Sequence, residues 1–181
     1  MKRVVKPAYR WVIGRLAGRF IAGPTLDHAL AVAARIQADG RKVSLAFWNE
    51  IGALPTAVVD SYAAAVKAAA ERLSGDAYVS VKLPAAGGDG SVFAEVLALA
   101  ADCGVRVHFD SHGPEFADER FALLRDALAV RTQPLGATLP GRWRRSLADA
   151  AWAVSAGIFV RVVKGEWGAA DPADEVDPRA G

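Results

Sequence analysis

Apolar residues recur along the chain at two different periods, and each change of period marks the border of a predicted element. After Thr25, apolar positions three or four residues apart predict a helix that Gly40 ends, and Pro55 begins a second, Ala-rich helix to about Leu73. Short runs rich in Val, Leu and Phe lie between such segments and predict strands. The predicted strands cover residues 42–48, 78–83, 105–110, 135–139 and 158–163, and the later predicted helices cover 91–103, 115–129 and 142–156.

Consecutive predicted strands start roughly 30 residues apart, which is the length of a strand–helix–strand unit. Such units make parallel strands with right-handed connections, so the sequence predicts an α/β protein with helices on the faces of its sheet. An open doubly wound sheet and a (β/α)₈ barrel both fit this order. No glycine-rich phosphate loop follows any predicted strand, so the sequence marker of a dinucleotide-binding open sheet is missing.

Composition narrows the class of protein. With 52% hydrophobic residues and a net charge of +2, the sequence excludes a long disordered chain and gives no support for nucleic-acid binding. The single cysteine, Cys103, excludes a disulfide framework and cysteine-based metal clusters, and it indicates a reducing, cytoplasmic compartment. No apolar run approaches the roughly 20 residues that a membrane-spanning helix needs.

The two ends of the chain differ in charge. Residues 1–24 contain Lys and Arg but no acid, and they are predicted to be a basic helical lead-in, either solvated or resting peripherally on an anionic membrane. Residues 25–165 hold the predicted strands and helices. Residues 166–181 are rich in Asp, Glu, Gly, Ala and Pro and predict an acidic loop.

Charged side chains interrupt three of the predicted strands at their carboxyl ends. Lys82, Asp110 and Arg161 stand in runs that are otherwise largely apolar, and a buried charge costs several kcal/mol unless it is paired. Barrels and open α/β sheets both bind ligands at the carboxyl ends of their strands. The three side chains are therefore predicted to surround an anionic ligand, or to face water singly at the rim, or to form a structural ion-pair network.

A metal site is an alternative at the third predicted strand. His108, Asp110 and His112 stand at alternate positions and would converge on one divalent ion if the strand continued that far, giving a metal-dependent barrel hydrolase. Gly113 and Pro114 turn the chain immediately afterwards, and the sequence offers no second cluster of His or Asp ligands.

Five segments, in order, resemble the proline dehydrogenase family, which includes a domain of bifunctional proline-catabolic proteins. Residues 19–26 are similar to the family's R-[FY]-V-A-G-x-T-L segment, and residues 45–50 stand where the family has L-D-x-L-G-E. Residues 79–83 resemble its I-S-x-K-L strand, and residues 105–110 its V-x-V-x-x-D strand. Residues 160–167 are close to its R-L-V-K-G-A-Y segment. The resemblance runs through nearly the whole chain.

The resemblance implies a (β/α) barrel that holds FAD over the carboxyl ends of its strands, with about five of the eight βα units present. The implied reaction oxidises L-proline, or a related cyclic amino acid, to Δ1-pyrroline-5-carboxylate by hydride transfer to FAD, and the electrons pass to a quinone. Lys82 would meet the substrate carboxylate, and Asp110 would contact both substrate and cofactor. Trp167 takes the place of a substrate-facing Tyr. Arg161 and Lys164 would contact the cofactor.

Three positions depart from the family's pattern, and one part of that pattern is missing. Pro140 replaces a flavin-directed Gln, Ala46 an Asp, and Trp167 the Tyr. The family's last three strands and a final helix with R-R-x-x-E-N would follow Gly181. We therefore expect a truncated chain that binds FAD poorly and turns over little. A non-catalytic α/β module that associates through open strand edges is the remaining hypothesis.

Overall fold

Helices and strands alternate through the residues that the computed structural model describes, which are 21–47, 54–75, 77–83, 90–130 and 134–176. The helices are α1 (Leu26–Ala38), α2 (Pro55–Arg72), α3 (Ala94–Asp102), α4 (Ala117–Val130) and α5 (Ser146–Ser155). The strands are β1 (Ser44–Ala46), β2 (Tyr78–Val81), β3 (Arg106–Phe109), β4 (Leu135–Pro140) and β5 (Phe159–Val163). Short 3₁₀ turns occur at Gly90–Phe93, Pro114–Phe116 and Pro172–Asp174.

The strands form one sheet in the order β1-β2-β3-β4-β5, and every neighbouring pair is parallel. Each strand therefore pairs with the one that precedes it in the chain, without the reversal of order that defines a doubly wound sheet. A sequential parallel sheet is the arrangement of a (β/α) barrel. The predicted α/β class with five parallel strands is confirmed, and the strand order is that of a partial barrel.

The two faces of this sheet differ in polarity. Side chains of one parity, such as Val79, Val81 and Phe109, are fully buried and belong to the apolar core that the helices cover. The strand register places the polar residues of the opposite parity side by side. We call this side the polar face; its residues are Tyr78, Ser80, Arg106, His108, Gly136, Thr138 and Arg161.

Helix α2 packs on the apolar side and reaches the end of β2. Tyr62 of this helix is fully buried, with its ring centroid 6.1 Å from that of Phe47 and 5.7 Å from that of Phe93. Its hydroxyl accepts a hydrogen bond from the backbone N–H of Lys82 at 3.2 Å. This bond ties the helix to the strand end that carries Lys82.

Strand β5 is the least covered strand. Among the described strands it pairs with β4 alone, so its other edge is open. Phe159 is 53% exposed and Val162 is 69% exposed. On the neighbouring helix α5, Leu147 and Val154 are also largely exposed. Both β5 and α5 therefore leave apolar side chains exposed.

Several element boundaries differ from the sequence prediction. The predicted helix 91–103 begins at Ala94, after a 3₁₀ turn, and the predicted helix 142–156 begins only at Ser146. The reason is tertiary: residues 142–145 bond to the chain after β5, with the Arg144 N–H donating to the Asp174 carbonyl at 2.6 Å. Of the first predicted strand, the described residues 42–47 form a strand only at Ser44–Ala46.

Several sequence predictions fall outside the described residues. These are residues 1–20 of the basic lead-in, residues 48–50 of the second family-like segment, and residues 177–181 of the acidic end. None of the helices within the described part of the chain combines the length and the hydropathy needed to cross a membrane.

Candidate functional site

A cavity of about 750 Å³ opens at the carboxyl ends of β2 to β5. This volume lies within the range of small-molecule sites, roughly 300 to 1,000 Å³. Loops after β2 and β3, the end of β4, and β5 with the chain that follows it supply the lining. The lining residues are Lys82, Asp110, Ser111, His112, Thr138, Pro140, Arg161, Val163, Lys164, Gly165, Glu166 and Trp167.

Arg161 joins four strands at the base of this cavity. Its Nη2 donates to Asp110 Oδ1 in an ion pair, and its Nε and Nη2 donate to Thr138 Oγ1 at 3.1 and 2.8 Å. Its Nη1 donates to the Tyr78 hydroxyl at 3.2 Å. A guanidinium has five N–H groups, so these bonds leave at most one for a ligand.

Thr138 links Arg161 to His108. The Thr138 hydroxyl lies 3.2 Å from Asp110 Oδ1, to which it donates, and 3.0 Å from His108 Nε2. Burial, and then the positive charge of Arg161, lower the pKa of His108 from 6.5 to about 4. The imidazole is therefore neutral at pH 7 and serves the network through hydrogen bonding.

Gly136 makes room for that imidazole. It is the β4 residue paired with His108, and a Cβ at this position would overlap Nδ1 and lie 2.9 Å from Cγ of the ring. Only glycine allows the His108 ring to lie across β4 at this register.

Lys82 lies at the cavity end nearest β2. Burial is the main cause that lowers its pKa, and the negative charge of Asp110 opposes the shift. A partly desolvated ammonium gains more from an anionic partner than one in bulk water. Burial also raises the pKa of Tyr62, which holds the Lys82 backbone, to about 12, so that phenol stays neutral.

The chain after β5 forms the opposite wall. Gly165 has a φ of 92°, in the left-handed region, and a Cβ there would lie 2.9 Å from the Pro140 Cβ. This turn brings Lys164 and Trp167 into the cavity lining. The buried Trp143 fixes the position by donating from Nε1 to the Trp167 carbonyl at 3.0 Å.

Residues 168–176, which we call the strap, fold back on the turn at 141–145. Arg142 Nη2 donates to both carboxylate oxygens of Glu175 at 3.1 and 2.9 Å, and these bonds lower the pKa of Glu175. Glu175 Oε1 also accepts from the Ala169 N–H at 2.9 Å. The Val176 N–H donates to the Arg142 carbonyl at 2.7 Å. The strap thereby anchors the wall that carries Trp167.

The structure brings together the five residues that the sequence selected as site residues: Lys82, Asp110, Arg161, Lys164 and Trp167 all line the cavity. Their individual roles stay predictions.

The three departures from the family's pattern lie in different places. Pro140 lines the cavity with a ring in place of a side-chain amide, and Trp167 forms part of the wall. Ala46 lies on β1, paired with Ser80 and largely exposed.

Sequence reasoning missed Thr138 and Tyr78, which bond to Arg161. The signal for Thr138 was its parity along β4, where it alternates with Leu135, Ala137 and Leu139, all of which are buried in the apolar core.

The metal arrangement of His108, Asp110 and His112 is not formed. His108 bonds to Thr138 on the polar face, and Asp110 pairs with Arg161. Within the residues that the structure describes, no group of three or more His, Cys, Asp or Glu side chains is placed to hold a metal ion.

The charges of the cavity suit an anionic ligand. Three cationic side chains, those of Lys82, Arg161 and Lys164, line it against the two carboxylates of Asp110 and Glu166. Ser111 is not paired with a base, because its Oγ donates to the His112 carbonyl at 3.4 Å. The described residues of the cavity can bind and orient a ligand.

The lining also fits a flavin. The Arg161 and Lys164 side chains offer N–H donors to its polar edge, and Pro140, Val163 and Trp167 offer apolar surface to its ring. These residues could hold such a cofactor.

No family model and no curated protein sequence matches the chain. Solved structures of proline utilization A (PutA) do match it. A point mutant of PutA from Bradyrhizobium japonicum is 20% identical, with a TM-score of 0.65, over 91% of this chain and 20% of that chain. A bifunctional PutA gives 20% identity and a TM-score of 0.64, and PutA with proline bound in remote sites gives 21% and 0.61, each over the same shares of the two chains. The chain is thus folded like part of PutA and spans about a fifth of the length of those proteins.

Proposed function

We propose that the chain forms the strand-end surface of a proline-dehydrogenase-like oxidoreductase. The proposed reaction oxidises L-proline, or a related cyclic amino acid, to Δ1-pyrroline-5-carboxylate and delivers the electrons to a quinone. The observation that carries the proposal is the meeting of Lys82, Asp110 and Arg161, from three different strands, in one cavity of a PutA-like fold.

Each cavity residue has a proposed task. Lys82 faces the substrate carboxylate, and Trp167 covers the substrate from the wall after β5. Asp110, held by Arg161 and Thr138, orients the substrate and contributes to the cofactor side. Arg161 and Lys164 would hold FAD. When bound, FAD supplies the two-electron oxidation that no amino acid side chain can perform.

The proposed quinone acceptor suggests a location. A cytoplasmic protein with a peripheral membrane contact would reach a membrane quinone, and the cationic residues 1–24 are the proposed contact. Vesicle flotation with anionic and neutral lipids tests this part, because binding to anionic vesicles alone is expected.

Flavin binding and proline-dependent reduction of a soluble quinone test the proposed reaction. We expect weak but saturable quenching of FAD fluorescence, and about tenfold weaker binding in Arg161→Met, which loses a charge-assisted donor.

Lys82→Met should raise the KM for proline more than it lowers kcat. Arg35→Met and Lys67→Met, on exposed helix surfaces, are the matched controls and should change neither quantity. A folded preparation that neither binds FAD nor reduces the quinone with proline would refute the proposal.

The second candidate is a non-catalytic module that associates through the open edge of β5. The observation in its favour is the exposed Phe159 and Val162 on a strand whose second edge pairs with no described strand. Light scattering coupled to size exclusion decides between the two. Self-association that Val162→Lys abolishes, and that Val130→Lys at the exposed end of α4 leaves intact, would support it, whereas a monomer at all concentrations would exclude it.

A further inference from the structure

Arg106 carries a positive charge at the amino end of the polar face, where no acidic side chain of the described residues pairs with it. It is the first residue of β3, it is paired with Tyr78 on β2, and it is half-buried. Its Nε is buried without a hydrogen-bond partner, whereas Nη1 and Nη2 are accessible to solvent and bond to no described atom. A guanidinium is charged at pH 7 and only donates hydrogen bonds, so this one has donors to offer at the surface.

Two aromatic rings hold this guanidinium in place. Its Cζ lies 4.4 Å from the centroid of the Tyr78 ring and 4.4 Å from the centroid of the Phe159 ring. Tyr78 belongs to β2 and Phe159 to β5, so the two rings approach from opposite sides of β3 in the sheet. The faces of aromatic rings attract a positive charge without providing a conventional hydrogen-bond acceptor. The N–H groups are therefore held in position and remain available.

The sheet fixes both rings. Phe159 is paired with Gly136, and because this glycine has no side chain, Arg106 can reach across β4 to the ring. The Tyr78 hydroxyl accepts a hydrogen bond from Arg161 at 3.2 Å, which holds the other ring at its far end. A guanidinium that is positioned in advance loses less conformational entropy on binding an anion than a freely rotating arginine does.

These donors lie at the opposite end of the polar face from the cavity. Arg106 begins β3 and Asp110 follows it, and four residues of strand place their Cα atoms roughly 13 Å apart. Arg106, Tyr78 and Phe159 take no part in the described lining of the cavity. Phe159 is 53% exposed, so a ligand at the guanidinium also meets the surface of an apolar ring. The arrangement combines N–H donors for an oxyanion with apolar surface beside them.

We propose that Arg106, Tyr78 and Phe159 form a further binding site, which takes a small carboxylate that carries an apolar group. Nη1 and Nη2 of Arg106 donate to the two carboxylate oxygens in the bidentate geometry that a guanidinium favours. The apolar group of the ligand packs on the exposed Phe159 ring. Inorganic phosphate would gain the charge interaction but not the apolar contact. The site goes beyond the proposed oxidation and does not depend on it.

The Nε–Hε signal of Arg106 in NMR spectra of the whole chain reports on this site, because a buried N–H exchanges slowly with water. Arg106→Lys identifies the signal by its loss. The probes are benzoate, acetate, which lacks the ring, benzamide, which lacks the charge, and inorganic phosphate. We expect benzoate to shift the signal saturably, acetate to bind about fivefold more weakly, and benzamide to leave the signal unchanged. A signal that benzamide moves equally, or that phosphate moves at lower concentrations than benzoate, would overturn the proposal.

Variants separate the guanidinium from the ring, with the backbone amide signals of Tyr78 and Phe159 as the measure of binding. Arg106→Met should bind benzoate about tenfold more weakly, and Arg106→Lys, which keeps the charge without the bidentate geometry, should lose part of that affinity. Phe159→Ala should bind benzoate no better than acetate. Leu147→Ala, which shortens an exposed apolar side chain on α5, is the matched control and should leave both affinities unchanged.

Lys82→Met tests whether the carboxylate binds in the cavity instead. The shift of the Arg106 signal by benzoate should be the same in Lys82→Met as in the wild type, and a shift that disappears would place the ligand in the cavity and refute the site. Wild-type affinity in a folded Arg106→Met would also refute it. If Arg106→Met does not fold, Phe159→Ala decides, because it alters an exposed side chain: an unchanged preference for benzoate over acetate there excludes the proposed contact.

Discussion

Gly136 on β4 is paired with His108 on β3, and the His108 ring lies where a side chain at position 136 would stand. Gly136→Ala must therefore move the imidazole and weaken its bond to Thr138. Overpacking of this kind costs about 1 to 3 kcal/mol of unfolding free energy, which urea denaturation measures. Gly75→Ala is the matched control, since no atom lies within 4 Å of the added Cβ, and it should change stability by less than about 0.5 kcal/mol. Equal losses in both variants would contradict this account.

His108 also makes stability depend on pH. Its pKa is about 4 in the folded chain against 6.5 for the free side chain, so between these values the unfolded chain binds more protons. The stability that the neutral ring contributes is present above about pH 6.5 and is lost as the pH falls toward 4, by up to about 3 kcal/mol. His108→Gln should remove this part of the slope when unfolding free energy is measured from pH 7 to 4.5. The pKa of His112 is also lowered, so His112 adds the same kind of slope in the wild type and in His108→Gln. If the two curves of unfolding free energy against pH are parallel, His108 is not the cause of the slope.

At the scale of elements, the strap rests on a half-buried ion pair and a few backbone bonds. Glu175→Gln removes the charge that Arg142 pairs with and weakens the acceptor of the Ala169 N–H. We expect the amide hydrogens of Ala169 and Val176 to exchange several-fold faster, while global unfolding in urea changes little because a half-buried pair on the surface contributes little to the free energy of unfolding. Asp39→Asn, which breaks the exposed pair with Arg41, is the control and should leave both amides unchanged. If the amide hydrogens of the strap exchange at the wild-type rate in Glu175→Gln, the backbone hydrogen bonds alone hold the strap.

The same element shows what sequence patterns can predict here and what they cannot. Strand alternation is a local signal, so it identified the five strands and placed Lys82 and Asp110 just after the ends of β2 and β3. Arg161, predicted at the end of its strand, is instead the middle residue of β5. The start of α5 was predicted four residues too early because residues 142–145 bond to Asp174 and Val176, a contact that no local pattern contains. Thr138 was missed for a related reason: its importance depends on the register that pairs it with Arg161. Long-range register, rather than local propensity, assembles this site.

At the scale of the whole molecule, β5 is joined to the described sheet by its ladder with β4, by the Arg106 guanidinium of β3, which lies 4.4 Å from the centroid of the Phe159 ring, and by the side chain of Arg161. Arg161 reaches from β5 to Tyr78 of β2, to Asp110 after β3 and to Thr138 of β4. Loss of this guanidinium should therefore loosen the last strand before it affects β1 or β2. Amide exchange in β5 should increase in Arg161→Met, while exchange in β2 stays at the wild-type rate.

The coupling free energy between Arg161 and Asp110 is measurable in a double-mutant cycle. Arg161→Met leaves the Asp110 carboxylate without its ion-pair partner, and since Arg161 is 34% exposed we expect about 1 to 3 kcal/mol of lost stability, less than for a fully buried pair. Asp110→Asn combined with Arg161→Met should lose less than the sum of the single variants, with a coupling free energy of about 1 kcal/mol or more. Arg41→Met with Asp39→Asn, an exposed pair, gives the reference cycle and should couple by less than about 0.5 kcal/mol. Coupling no larger than this reference would mean that the Arg161 network organises the cavity without holding β5 in the fold.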